Sequence, residues 1–390
     1  MKKSLDEKLS RIHADPQRAK DFILADAKDA DMGFGVVATG RSPEAPGGEA
    51  RQRSLQEYRE QIEQIVAQGL VDIMLMSAHT NDMLTIQKRL FDTSHVSPAA
   101  RANDSTDIHV MRGSRSPAQP ALPFRTATLD HIQCGQLACA DGERHRGANL
   151  GLYSITFQND SGIDREALER YKEFRLEAER KGFRHFLEVF DPNCPESIEP
   201  SKIPDFINDV IARTLAGVTT KGRPLFLKMV YHGPKAMEDL VHYDPHLVVG
   251  ILGGSAGTTY DAFKLLSEAK KYGARVALFG RKINNAENQL AFVRFLRWIA
   301  DGEITAEEAV KAYHGVLQGL GVKPQRTLDE DLTLQTGVMS YGGSGTTISL
   351  PIKKKADTKK HAAAEPDFAK MTTAEKLAYQ KARWDRILGK

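Results

Sequence analysis

Arg223-Pro-Leu-Phe-Leu-Lys-Met-Val-Tyr-His-Gly-Pro234 carries the residue whose type and setting point most directly to covalent chemistry. The stretch reads as a short apolar strand with one lysine, Lys228, near its end. Side chains of a strand alternate between faces. Phe226, Lys228 and Val230 therefore share one face, and Leu225, Leu227 and Met229 share the other. Both faces are apolar except at the lysine, the pattern of a strand buried on both sides. An ammonium in such a place must be paired, must line a cavity, or must have a lowered pKa. A buried amine that sheds its proton readily suits carbonyl chemistry. On the strand alone, a lysine that merely pairs with a neighbouring carboxylate fits equally well.

Two glycine-rich turns lie downstream. Leu247–Leu252 runs into Gly253-Gly-Ser-Ala-Gly-Thr-Thr259, and Ala274–Phe279 runs into Gly280-Arg-Lys-Ile283. Glycines let backbone approach a ligand, and the free N–H groups of a following helix favour anions. Arg281 adds a bidentate phosphate partner. Gly253, Gly254, Ser255, Gly280 and Arg281 are thus the candidate phosphate-binding set. Upstream, Asp26, Lys28, Asp29 and Asp31 follow an apolar run directly, before Gly33-Phe-Gly35, as either a solvated loop or the mouth of a site. Glu188 lies in the strand-like Phe183–Phe190. His79, His131, His185 and His232 are scattered, without HxH or HExxH spacing, so no metal site is expected. Cys194 has no base in view. Arg101, Asn103, Asp104 and Arg112 could reach a substrate from the irregular stretch that holds them, but they read rather as surface salt links.

The elements needed to position these residues alternate from residue 22 onward, strand then helix, with short connections. That pattern implies parallel strands and right-handed crossovers. Eight strands are found if the weak segment Phe124–Thr128 is the third, which makes an α/β (β/α)8 TIM barrel over residues 1–330. A doubly wound sheet would place its phosphate glycines after the first strand; here they follow the seventh and eighth. Residues 1–21 read as a polar leading helix. Residues 90–125, rich in Ser, Pro and Arg, read as an irregular insertion with one short strand near Ile108–Met111. Residues 331–370 read as a linker, and 371–390 as a C-terminal helix opened by the capping box Thr372–Glu375 and expected to dock on a second copy or on the barrel wall.

The chain has 390 residues, 41% hydrophobic and 27% charged, with a formal net charge of +3. This balance, without an RNA- or DNA-binding motif, argues against a nucleic-acid partner. No apolar run reaches membrane-spanning length and no signal-type apolar core opens the chain, so a cytoplasmic protein is expected. Three cysteines without a CxxC pair indicate neither a disulfide framework nor a zinc knuckle.

Residues 183–300 resemble the class I, Schiff-base aldolases with (β/α)8 folds, the group that includes archaeal-type fructose-bisphosphate, tagatose-bisphosphate and sulfofructose-phosphate aldolases. Leu-Lys228-Met-Val-Tyr231 is similar to the strand-six motif whose lysine forms the imine. Ile-Leu-Gly253-Gly254 and Leu-Phe-Gly280-Arg281 are similar to the two phosphate loops, and Phe186-Leu-Glu188-Val to the strand carrying a proton-transferring glutamate. Ile23-Leu-Ala-Asp26 is similar to the first-strand aspartate motif, with a one-residue freedom in register. The lysine that one branch carries on strand four is absent, and Tyr153 or Ser154 stands there. The resemblance implies an aldolase-type lyase acting on a phosphorylated sugar. Its catalytic residues would be Lys228, Glu188 and a first-strand group (Asp26, Lys28 or Asp29), with no metal or organic cofactor and a homo-oligomeric state. A non-catalytic phosphosugar-binding barrel and a sugar-phosphate isomerase or epimerase with Glu188 as base remain the alternatives.

Overall fold

The computed structural model describes residues 1–42, 51–108, 111–254 and 257–336. Eight parallel strands close a barrel: β1 (Ile23–Lys28), β2 (Ile73–Met76), β3 (Ser97–Arg101), β4 (Leu150–Thr156), β5 (Arg184–Phe190), β6 (Leu227–Met229), β7 (Gly250–Leu252) and β8 (Val276–Phe279). Each strand neighbours the next in sequence, and β8 returns to β1. The (β/α)8 expectation is met.

Alternation along the strands builds two apolar layers. Ile23, Ala25, Leu75, Ala99, Leu152, Phe186, Phe226 and Leu278 point inward and fill the barrel. Phe22, Leu24, Met74, Leu187, Leu227 and Met229 point outward against the helices. α1 (Ser4–Ala14) is not the polar helix expected of residues 1–21. Its Leu5, Leu9 and Ile12, at helical spacing, are buried in the inner cluster and close the barrel floor. Full burial of each contributes about 1.5–3 kcal/mol.

The outer helices begin where their caps direct. α2 (Leu55–Gln68) starts at a Ser54–Glu57 capping box and stops at Gly69, whose φ of 70° a side chain would resist. α3 (Ser161–Arg180) starts at Asp160, whose side chain accepts from the Gly162 and Ile163 N–H groups. α4 (Ile203–Ala216) and α5 (Pro234–Tyr243) flank β6 in the chain. α6 (Thr259–Lys271), α7 (Gln289–Asp301) and α8 (Ala306–Gly319) complete the series. The Thr305–Glu308 capping box opens α8.

Three expectations need correction. The third strand is Ser97–Arg101, inside the stretch read as insertion, and not Phe124–Thr128. Phe124 instead joins a two-residue antiparallel ladder, Asp104–Ser105 with Pro123–Phe124, outside the barrel. The irregular region accordingly follows β3. Ile108 ends a 3-10 turn, Thr106–Ile108, rather than starting a strand. Cys134 and Cys139 form a disulfide, with the sulfurs 2.00 Å apart. Ser255, most of the expected linker and the C-terminal helix lie outside the described residues.

Candidate active site

Strand register places the central residues abreast. Ser154 on β4 pairs with Glu188 on β5, and Glu188 pairs with Lys228 on β6. Directly paired side chains on one face of a sheet are close neighbours, and all three point into the barrel at its C-terminal end. Lys228 Nζ lies 2.5 Å from Glu188 Oε1. Ser154 Oγ donates to Glu188 Oε2 at 2.7 Å. Both carboxylate oxygens are thus engaged, one by an amine and one by a hydroxyl. Ser154 is itself fixed by Asn103, which accepts from the Ser154 N–H at 2.7 Å and donates to its carbonyl at 2.9 Å.

Arg101, at the end of β3, is the largest departure from the surface role expected of it. It is 7% exposed and lies inside the pocket. Its Nε donates to Asp29 Oδ2 at 2.6 Å, and its Nη2 lies 3.9 Å from Glu188 Oε2. Burial works against the guanidinium charge, but Asp29, Glu188 and Asp104 outweigh it and hold the pKa above the ordinary arginine value. At Asp29, burial favours the neutral acid. The nearby charges of Arg101 and Lys228 reverse this and hold the carboxyl below its usual range.

The first-strand candidates divide by one residue of register. Ala27 and Asp29 face the pocket. Asp26 and Lys28 face outward, fully buried between β1 and the helices, and do not reach the pocket. Lys28 Nζ is 3.3 Å from Asp26 Oδ2 and donates to Gln289 Oε1 on α7 at 2.9 Å. Burial pushes the Asp26 carboxyl up to about 6 and the Lys28 ammonium down. The pair ties β1 to its covering helices.

The glycine turns stand at the ends of β7 and β8, on the Lys228 side of the mouth. Gly253, Gly254, Gly280 and Arg281 line the same pocket as Lys228. Two of these glycines have packing reasons of their own. A Cβ at Gly253 would collide with the Phe279 ring, and one at Gly280 would lie 2.5 Å from the Ala27 carbonyl oxygen. Gly253 N–H is spent on the Leu278 carbonyl at 2.8 Å, so it contributes room rather than a donor. Gly254 has a φ of 60°, which turns the backbone toward the mouth. The Arg281 guanidinium sits 5.1 Å from the centre of the Phe34 ring, so the Asp31–Phe34 turn reaches the Arg281 side of the mouth. Lys282 Nζ donates to the Gly257 and Thr258 carbonyls at 2.6 and 3.0 Å, joining the two turns.

The other candidates fall elsewhere. His232 bonds Asp191 at 2.9 Å beyond the ends of β6 and β5. His185 faces outward and meets Tyr171 at 2.9 Å. Burial and then Glu196 push the Cys194 thiol up, away from thiolate formation. Among the described residues no group of three or more His, Cys, Asp or Glu is placed to hold a metal ion. No described helix is long and apolar enough to cross a membrane.

No protein-family model and no curated protein matches the sequence. Solved structures do share its architecture. A Schiff-base-forming fructose-1,6-bisphosphate aldolase, reported with reaction intermediates, is similar at TM-score 0.53 and 15% identity, over 76% of this chain and 100% of that one. An archaeal fructose-1,6-bisphosphate aldolase, solved with its catalytic lysine bound to a carbinolamine, gives 0.53 and 16% over 77% and 100%. The fructose-bisphosphate aldolase of Slackia heliotrinireducens gives 0.55 and 13% over 80% and 91%. The chain therefore has the closed parallel barrel fold found in Schiff-base fructose-bisphosphate aldolases.

Proposed function

We propose that this chain is a class I aldolase-type carbon–carbon lyase acting on a phosphorylated sugar through an imine at Lys228. The observation that carries the reading is the row Ser154–Glu188–Lys228 on adjacent strands, with the Gly253–Gly254 and Gly280–Arg281 turns on the next two. A phosphate held at those turns fixes a ketone carbonyl near the lysine, the positioning on which rate depends. Glu188 Oε1, 2.5 Å from Nζ, takes the ammonium proton and frees the amine. The amine adds to the carbonyl carbon, and the carbinolamine loses its hydroxyl as water with a proton from the same acid. The iminium then accepts the electron pair of the adjacent carbon–carbon bond. As that bond breaks, the hydroxyl of the departing carbon gives its proton to Glu188 or Asp29, and an aldehyde leaves. Protonation and hydrolysis of the enamine return the amine. Arg101 holds both carboxylates in place throughout. The same reading takes the enzyme as a soluble homo-oligomer.

Borohydride treatment with a sugar phosphate should add one substrate-derived mass to the Leu225–Lys235 segment. Lys228→Met keeps length and apolarity, and should fold, retain phosphate binding and lose the adduct together with carbon–carbon cleavage. An adduct that persists in Lys228→Met, or that maps to Lys235, overturns the assignment. No adduct with any sugar phosphate favours a binding protein or an epimerase.

A further inference from the structure

The Ser154 hydroxyl lies between an arginine and a carboxylate, and these two neighbours decide where its hydrogen points. An arginine side chain only donates, and an ionised glutamate only accepts. Arg101 Nη1 donates to Ser154 Oγ at 3.4 Å, and the hydroxyl donates to Glu188 Oε2 at 2.7 Å. The reverse direction would turn the hydroxyl hydrogen against the guanidinium hydrogens. Ser154 is fully buried, so no bulk water offers its hydroxyl another acceptor. Asn103, equally buried, holds the main chain on both sides of the serine, at 2.7 Å from its N–H and 2.9 Å from its carbonyl. Arg101 is held in turn by Asp29, at 2.6 Å from Nε. One directed chain of donors therefore crosses β3, β4 and β5, from Arg101 through Ser154 to Glu188. On β6, Lys228 Nζ faces the other carboxylate oxygen, Oε1, at 2.5 Å.

We infer that, in the imine-forming reaction proposed above, on which this rests, Ser154 is a positioning residue that restricts Glu188 to one working oxygen. The serine hydrogen occupies Oε2, and Arg101 Nη2 at 3.9 Å favours negative charge there. A proton taken up by Glu188 therefore goes to Oε1, on the side of Lys228. Two steps use that proton. Oε1 first receives it from the Lys228 ammonium. The freed amine forms the nitrogen–carbon bond, the carbonyl π pair moves to oxygen, and a proton passes from nitrogen to that oxygen. The resulting carbinolamine carries its hydroxyl on the carbon bonded to Nζ, close to the oxygen that faces Nζ already. Oε1 then returns its proton, the carbon–oxygen bond breaks, the nitrogen pair closes the iminium double bond, and water leaves. Nitrogen ends as a cation and Glu188 as an anion, as they began. A proton on Oε2 would face the serine, turned away from the leaving hydroxyl. Without the Ser154 hydroxyl the carboxyl has two places for its proton, one of them unproductive, and dehydration slows.

Dihydroxyacetone phosphate supplies a phosphorylated ketone with no bond to cleave, so it reads imine formation alone. The full chain is mixed with it and quenched with borohydride at successive times, and the reduced adduct is measured by mass spectrometry. Borohydride reduces the iminium and not the carbinolamine, so the adduct reports dehydration. Ser154→Ala should form the adduct about tenfold to a hundredfold more slowly than wild type, the scale of one hydrogen bond to a charged group. Its binding of glycerol 3-phosphate, which has no carbonyl, should be unchanged. Ser154→Thr keeps the hydroxyl and should recover most of the rate. Ser154→Cys keeps the shape with a weaker donor and should fall between Thr and Ala, an order that follows donor strength rather than packing. Should Ser154→Ala fail to fold, the Cys and Thr variants decide by the same order. Adduct formation in Ser154→Ala at the wild-type rate overturns the inference and leaves the imine at Lys228 standing. So does a Ser154→Thr that binds glycerol 3-phosphate normally yet is as slow as Ser154→Ala. No adduct in wild type with any phosphorylated ketone defeats the imine reading itself, and this inference with it.

Discussion

Arg101 touches both carboxylates of the pocket, bonding Asp29 at 2.6 Å and standing 3.9 Å from Glu188. Its removal leaves two buried acids facing each other, and mutual repulsion raises the pKa of one of them. Arg101→Gln should lower kcat by about a hundredfold, the scale of one displaced acid–base group, and move the acidic limb of the pH–rate profile upward. Arg101→Lys should restore part of both. A loss of rate with an unmoved profile would mark the arginine as structural. The Lys228 and Glu188 pair was legible because an isolated charge on an apolar strand stands out. Arg101 was not, since it lies among Ser, Pro and Ala, where charge reads as surface. Asp26 and Asp29 illustrate a different difficulty. An acidic cluster at the end of a strand announces a site, but a single residue of register decides which member faces it.

At the scale of elements, the segment Leu328–Thr336 lies across the start of α6. Asp331 Oδ1 accepts from the Thr259 N–H at 2.7 Å, and its Oδ2 meets His314 at 3.0 Å. Asp261 accepts from the Thr258, Gln335 and Thr336 N–H groups at 2.7, 3.1 and 2.8 Å. Through Lys282, bonded to the Gly257 and Thr258 carbonyls, this strap is one step from Arg281. Asp331→Asn should weaken binding of inorganic phosphate by about tenfold, equivalent to ~1.4 kcal/mol. Imine formation with an unphosphorylated ketone should be unchanged. Equal losses with both ligands would show a general loss of structure. The alternation of strands and helices was readable from residue 22 to the end of α8, with one failure. β3 is Ser-Pro-Ala-Ala-Arg, and Pro98 and the alanines lack the branched and aromatic side chains that signal a strand. Its pairing with β2 and β4 supplies what local preference does not. The disulfide escaped for a similar reason. Cys134 ends a short helix at Gly135, and the turn that brings Cys139 back is set by tertiary packing.

For the molecule as a whole, His185 links stability to pH. It is buried against Tyr171 and Phe174, and burial, then the Arg175 charge, depress its pKa to about 3. An unfolded histidine titrates near 6.5. The folded state thus binds the proton more weakly. The full stability holds above about pH 6.5 and declines as pH falls from there toward 3, by about 1.4 kcal/mol per unit. His185→Gln keeps an acceptor for the Tyr171 hydroxyl and removes the titration. Melting temperatures at pH 7.5 and 5.5 should lie closer together in that variant than in wild type, and an unchanged gap would assign the slope to other groups.

The floor of the barrel carries a consequence for the order of assembly. Leu5, Leu9 and Ile12 are synthesised before every strand they seal, yet their seat includes Val248, Val276 and Leu278, which come more than 200 residues later in the sequence. The first helix made is therefore among the last to find its place, and its apolar stripe stays uncovered while the strands are still being added. Closure of so long a loop is slow. During that interval the nascent chain offers a chaperone, or a neighbouring chain, the same three side chains that later keep water out of the barrel.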